Sequence, residues 1–349
     1  MVWAVATAMF AACSSDNGGV NPPDESECPP ATPLTIQVPA YFPEMPQPKG
    51  NPLTEEGVAL GRLLFYDPIL SGDSTQACGT CHVQVYGFAD FRRVSEGIHG
   101  DKGQRNAPGI VNPGWVGETF WDGRAAGLEA QAKEPVPNPI EMHLAWPEAI
   151  ERLERHADYP DLFCAAFGDS RITVDRVVRA IAQFERTFVS FNTKYDRVRR
   201  GEAAFTPEEE AGRRIFNTEI GDCFHCHAEP LFTTSTFHNT GLDSVVDDRG
   251  RYDVTGNPAD MGKFKAPSLR NIFDSVPYMH DGRFTDLHEV IGHYNHGFHD
   301  GPNVDPLIRA RLSRRPMRPG EIDTLITYLE TLTDPDYLTN PALSNPYRP

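Results

Sequence analysis

Apolar residues recur at helical spacing in several separate stretches, and polar, proline-rich runs divide them. Thr54, followed by Glu55 and Glu56, opens one stretch that continues through Gly61-Arg62-Leu63-Leu64-Phe65. Thr206, Pro207 and Glu209 open another, which continues to Gly212-Arg213-Arg214-Ile215-Phe216. A threonine N-cap, a proline in the first helical position and a glutamate three residues after the cap make a capping box, so the second start is the better marked. A longer pattern over 174–195 predicts one amphipathic helix. Residues 199–205 read as a linker, and 321–332 as a final helix that packs back across the boundary between two units. The 31 prolines and 29 glycines predict long irregular connections between these helices.

The start of the chain has a different pattern. Residues 2–12 are apolar and end in Phe10-Ala11-Ala12-Cys13. Small residues before a cysteine read as a lipoprotein-type export signal, with Cys13 lipidated as the mature N-terminus. Two features depart from it: no lysine or arginine precedes the apolar stretch, and Phe10 stands where leucine is usual. Residues 14–33, rich in Ser, Asp, Asn, Gly and Pro, read as a tether. The expected division is a signal and tether over 1–50, then units at 51–200 and 201–349, in line with two domains for 349 residues. After the first dozen residues no run can span a bilayer, so membrane attachment is expected only through an N-terminal lipid. The net charge of -17 argues against nucleic acid and fits either attraction of basic partners or plain solubility.

Four of the seven cysteines repeat one pattern: Cys78-Gly-Thr-Cys81-His82 and Cys223-Phe-His-Cys226-His227. Cys-x-x-Cys-His is the attachment sequence of c-type haem. The two thiols form thioethers to the haem vinyl groups, and the adjacent histidine takes the proximal iron position. A redox dithiol or half a zinc site would explain one copy. Two copies, each with its trailing histidine, favour two haems. Cys28 and Cys164 remain, to pair or to stay free.

The chain is also an internal duplication. Each haem motif follows one of the Gly-Arg helices named above. Beyond the motifs, matches recur at a constant spacing of 159 residues: Ala107-Pro108 with Ala266-Pro267, Asn112 with Asn271, and Asp122-Gly123-Arg124 with Asp281-Gly282-Arg283. At that spacing Tyr294 falls opposite Pro135, and His280 opposite Trp121. Tyrosine can ligate iron through its phenolate and proline cannot. If both positions overlie a haem, the second iron is closed and the first is open to a substrate.

With these motifs the chain resembles the bacterial di-haem cytochrome c peroxidases and their relative MauG, from about Leu53 to the last helix. Arg105-Asn106-Ala107-Pro108, Phe120-Trp121-Asp122-Gly123-Arg124, Pro139-Ile140-Glu141-Met142 and Tyr278-Met279-His280-Asp281-Gly282 carry the likeness. It implies a mostly α fold of two tandem cytochrome c-type haem domains with long irregular loops. It implies His82 and His227 as proximal ligands, Trp121 as the relay between haems, and Gln131 and Glu141 as the pair above the peroxidatic haem. Asn106 with the carbonyls of Ser275 and Pro277 resembles a calcium site, and oxygen donors suit that ion. His99, in Gly97-Ile98-His99-Gly100, resembles a loop histidine that caps the peroxidatic haem at rest; from spacing alone an exposed loop histidine fits equally.

Tyr294 is the main departure, since many such peroxidases carry methionine there and MauG carries tyrosine. A phenolate is a hard anionic donor and lowers the iron potential. His293 and His296 flank it but point elsewhere on a helix; Met261 and Met279 are weaker rivals. The implied activity is reduction of hydrogen peroxide to water by a periplasmic enzyme that draws electrons from a small cytochrome c or cupredoxin. A MauG-like oxidation of residues in a partner protein is the alternative, although Gly221 stands where MauG has a surface tryptophan. An electron carrier without catalysis is a third reading, opposed by Gln131 and Glu141. A homodimer is carried as an expectation.

Overall fold

Two helix starts of the same kind seed two cores. The structure is a computed structural model that describes residues 28–348, so the expected lipidation at Cys13 lies outside the described residues. In chain order the α-helices are α1 (Glu55–Tyr66), α2 (Cys78–Cys81), α3 (Gly127–Ala132), α4 (Trp146–Arg155), α5 (Tyr159–Phe167), α6 (Val174–Arg186) and α7 (Lys194–Arg199). They continue as α8 (Pro207–Phe216), α9 (Tyr252–Thr255), α10 (Leu287–Gly292), α11 (Pro306–Ala310), α12 (Pro319–Glu330) and α13 (Pro335–Thr339). The fold is mostly helical, and the sheet is slight. β1 (Glu118–Thr119) pairs antiparallel with β2 (Ala125–Ala126), and β3 (Phe237–His238) with β4 (Phe264–Lys265).

Both expected caps form. Thr54 Oγ1 accepts from Gly57 N at 3.0 Å. Thr206 Oγ1 accepts from Glu209 N at 3.2 Å while Glu209 Oε2 accepts from Thr206 N at 2.7 Å, which satisfies two otherwise orphaned donors. The shared Gly-Arg motif then has a packing reason. A Cβ on Gly61 would collide with the Ala180 carbonyl of α6, and one on Gly212 with the Thr324 carbonyl of α12. Thus α1 seats against α6 and α8 against α12 by the same close backbone approach. Around the first pair gather Leu60, Leu64, Phe65, Phe184 and Phe188, and around the second Phe216, Leu325 and Tyr328.

Two helices differ from expectation. The pattern over 174–195 does not continue as one helix: α6 ends at Arg186 and α7 restarts at Lys194. Asn112 causes the break. Its backbone N donates to Phe188 O at 2.9 Å, and its Oδ1 accepts from Ser190 N at 2.8 Å, so those backbone groups are withdrawn from a helical ladder. Thr193 then caps α7. The final helix, expected at 321–332, spans Pro319–Glu330 and packs on α8 within its own core rather than across the boundary. The segment after it makes the crossing. Tyr337, Leu338 and Leu343 are buried in the first core, and Tyr66 Oη donates to Leu343 O at 2.7 Å.

The duplication is visible in hydrogen bonds. Asn271, the counterpart of Asn112, repeats its pattern: its N donates to Leu332 O at 3.0 Å and its Oδ1 accepts from Asp334 N at 2.7 Å. Both asparagines have positive φ, 52° and 59°. The halves also bond reciprocally. Asn106 N donates to His280 O at 2.7 Å, and Lys265 N donates to Trp121 O at 2.8 Å. Asn106 and Lys265 are 159 apart, as are Trp121 and His280, so the two bonds are related to each other by a pseudo-twofold axis. Cys28 and Cys164 form a disulfide with Cα atoms 5.4 Å apart, while the four motif cysteines are free.

Candidate functional site

The first Cys-x-x-Cys-His segment forms α2 and ends at His82. His82 Nδ1 lies 2.7 Å from Phe88 O, a contact that fixes Nδ1 as the protonated nitrogen and leaves Nε2 as the free donor. Burial holds the imidazole below its ordinary pKa, in the neutral form that a metal ligand needs. The second segment repeats this. His227 Nδ1 lies 3.0 Å from Pro267 O and 3.3 Å from Phe232 O, and burial lowers its pKa to about 4.

A cavity of about 750 Å³ opens beside His82. Cys78, Cys81 and His82 line it together with Trp121, Gln131, Pro135 and Glu141. The structure therefore brings Trp121, Gln131 and Glu141 together with the first Cys-x-x-Cys-His motif. Gln131 comes from α3, and Glu141 from the turn that follows. Burial raises the Glu141 pKa, opposed by an Asn138 Nδ2 hydrogen bond of 2.6 Å and by nearby Arg124. Trp121 stands at the seam of the halves, its Nε1 donating to Asn106 O at 2.8 Å and its ring 6.5 Å from that of His280.

His99 is not among the residues lining this cavity. Its side chain is exposed, with Nε2 2.8 Å from His143 Nδ1. The loop that carries it packs on the Glu141 turn, where Ile98 N donates to Glu141 O at 3.0 Å. Asn106 is buried and donates through Nδ2 to Arg92 O and Asp90 O, which leaves Oδ1 for another partner. Beside Ser275, the buried Asp274 Oδ2 has no partner among the described residues.

Tyr294 sits in a π-helical segment, His293–Gly297, directly after α10. Such wide turns often occur at functional positions. Burial raises its phenol pKa, with the Cys226 and Cys223 thiols adding to the rise. The flanking histidines do not compete: His293 is buried with Nε2 3.0 Å from Thr240 O, and His296 is exposed.

The pieces fit haem. Each half offers two free thiols and a neutral histidine with one nitrogen fixed. The cavity wall adds Arg105 and Lys265, cationic groups suited to haem carboxylates. Sequence reasoning missed three residues here. Lys265 is half-buried, with desolvation lowering its pKa to about 8, and Nζ donates to Glu118 O at 3.0 Å; its place 159 residues from Asn106 could have marked it. Glu185 lines the cavity with Oε2 unpartnered among the described residues, and burial raises its pKa to about 8. His238 lies by Cys226, held by Asp305 at 2.7 Å.

Comparison with known proteins agrees with this geometry. A family model described as di-haem cytochrome c peroxidase matches residues 55–204. The methylamine utilization protein MauG of Methylorubrum extorquens is 37% identical over 304 residues, covering 86% of this chain and 84% of that protein. Cytochrome c551 peroxidase of Nitrosomonas europaea is 33% identical, covering 82% and 83%. A crystal structure of a MauG-like protein associated with microbial copper homeostasis superposes with a TM-score of 0.81 at 37% identity, covering 90% of this chain and all of that one.

Proposed function

The chain belongs to the bacterial di-haem cytochrome c peroxidase and MauG family, and from that premise we propose that it reduces hydrogen peroxide to water in the cavity beside His82. The observation that carries this reading is the grouping of Gln131 and Glu141 in one cavity with His82, at a site whose Pro135 offers no ligand. Cys78, Cys81 and His82 would hold one haem, and Cys223, Cys226, His227 and Tyr294 the other, each half forming a haem domain. When bound, the haems supply the electron-transfer chemistry.

The chain's own residues do the rest. Gln131 orients peroxide by hydrogen bonding. Glu141 accepts the proton from the inner peroxide oxygen and returns it to the outer one, which then departs as water. Its raised pKa helps, because a proton shuttle works best when its pKa nears the working pH. Trp121 carries electrons between the halves from its position at the seam. A small periplasmic cytochrome or cupredoxin supplies them through the Tyr294 half. Asn106 and the Ser275 and Pro277 carbonyls would hold calcium; the unpartnered Asp274 carboxylate beside them suits a nearby cation.

A second reading is oxidation of residues in a partner protein, as the MauG relatives suggest. Tyr294, beside the second motif, favours it. Localisation in the periplasm follows the relatives; among the described residues no helix is long and apolar enough to cross a membrane. The test is to mix oxidised holoprotein with peroxide, with and without a reduced small cytochrome. Peroxide loss matched by cytochrome oxidation supports the peroxidase reading. Peroxide-dependent oxidation of a candidate protein with the cytochrome left reduced supports the second, and no peroxide loss defeats both.

A further inference from the structure

The two halves carry a matching arginine on the loop that enters each Cys-x-x-Cys-His motif, and its charge is handled differently in each. Arg152 and Arg311 are 159 residues apart, as are Pro147 and Pro306, which stand in the first turns of α4 and α11. Arg152 donates through Nη1 to Ser71 O at 2.7 Å and through Nη2 to Gly72 O at 2.9 Å, ahead of Cys78. Arg311 donates through Nη1 to Ile220 O at 2.7 Å and, more weakly, to Glu219 O at 3.4 Å, ahead of Cys223. Both arginines therefore hold the backbone that leads into a motif.

Their partners differ. Glu148, one helical turn before Arg152, pairs with it at 2.7 Å, and the arginine side chain is 26% exposed. The position matching Glu148 is Leu307. Arg311 is 4% exposed, and among the described residues its Nε has no partner and its guanidinium makes no ion pair. The two acids of its loop, Glu219 and Asp222, pair with Arg314 instead. Arg311 turns toward the Tyr294 segment: its Nη2 lies 3.5 Å from Asn295 Oδ1, and that oxygen accepts from Met317 N at 2.7 Å. The residue matching Asn295 in the first half is Val136, whose side chain has no such acceptor. A guanidinium stays charged inside a protein. Buried without a direct carboxylate partner, its field is felt by neighbouring groups more strongly than that of a paired, half-exposed one.

We propose that Arg311 is a positioning residue of the second haem site, which ties the Tyr294 segment to the loop entering the second motif and, through its unpaired charge, raises the potential of the haem held there. This rests on the haem reading of that motif. Reduction of a ferric haem adds one negative charge, so a buried cation nearby favours the reduced form. A phenolate ligand acts in the opposite sense. Arg311 thus offsets the lowering that Tyr294 brings and keeps the second haem reducible by a small redox protein. Arg152, neutralised by Glu148, exerts no comparable pull on the first haem.

The test is a spectroelectrochemical titration of the holoprotein, with attached haem counted from the denatured haemochrome. Arg311→Met removes the charge, Arg311→Lys keeps it, and Leu307→Glu supplies the missing carboxylate without touching Arg311. We expect the midpoint of the second haem to shift to lower potential in Arg311→Met and Leu307→Glu and to move less in Arg311→Lys, with the first haem unmoved in all three. If Arg311→Met fails to load its second haem, Leu307→Glu decides. Two attached haems with an unmoved second midpoint in Leu307→Glu overturn the proposal and leave the haem reading intact. So does an equal fall in Arg311→Lys and Arg311→Met with Leu307→Glu unmoved, which assigns the effect to geometry. A fall in Leu307→Glu in a protein whose second spectrum is indifferent to Tyr294→Phe upholds the charge and defeats Tyr294 as ligand. One haem per wild-type chain defeats the haem reading, and the proposal with it.

Discussion

Two Cys-x-x-Cys-His segments sit in this molecule on matching scaffolds, and they part company on the side away from the histidine. Each follows a capped helix seated by a glycine against a later helix. Each histidine turns Nδ1 to a backbone carbonyl. In the first half the cavity wall then offers Pro135, Gln131 and Glu141. In the second, the position matching Pro135 carries Tyr294, a phenol whose pKa burial raises. A duplicated fold has thus kept its Cys-x-x-Cys-His seat and exchanged Pro135 for Tyr294, the difference on which the proposed split between substrate chemistry and electron transfer rests.

The largest expected effect breaks the reactive side. Glu141→Gln should leave both haems attached, measured by absorbance of the denatured haemochrome, and lower peroxide turnover by about 10²- to 10⁴-fold. The raised Glu141 pKa also sets a sign. The carboxylate form that accepts the proton is lost as pH falls through a value above the ordinary carboxyl range. Wild-type turnover should therefore fall on the acid side earlier than an exposed carboxyl would give, and the variant should lack that limb.

Tyr294→Phe tests the other side. It should change the absorption and magnetic spectra of the second haem alone; an unchanged spectrum would mean that another residue is its ligand. Trp121→Phe tests the seam. It should slow steady-state turnover about tenfold, equivalent to ~1.4 kcal/mol in the barrier, and spare the first encounter with peroxide in a single-turnover experiment. The smallest effect on chemistry comes from Cys28→Ser with Cys164→Ser. The disulfide closes a sequence separation of 136 within the first half, so its loss should cost about 2–4 kcal/mol in denaturant unfolding of that half and leave the Tyr294 spectrum intact.

What was legible in the sequence was whatever repeats or lies close along the chain. The caps at Thr54 and Thr206 are local chemistry and formed as read. The 159-residue spacing paired Trp121 with His280, whose rings lie 6.5 Å apart, because a duplicated chain places equivalent positions about a common axis. What could not be read joins distant residues. The break between α6 and α7 needs Asn112 to reach Phe188 and Ser190, and apolar periodicity carries no trace of that. His99 faces His143 rather than the cavity because its loop rests on the Glu141 turn.

The most direct test of an open first site and a closed second one is an electron paramagnetic resonance spectrum of the fully oxidised holoprotein, before and after peroxide. An open first site and a Tyr294-closed second one give one high-spin and one low-spin ferric haem, with both signals lost on addition of peroxide. Two low-spin haems that react only after partial reduction would place His99 on the first iron at rest. Two low-spin haems that never react would contradict the account.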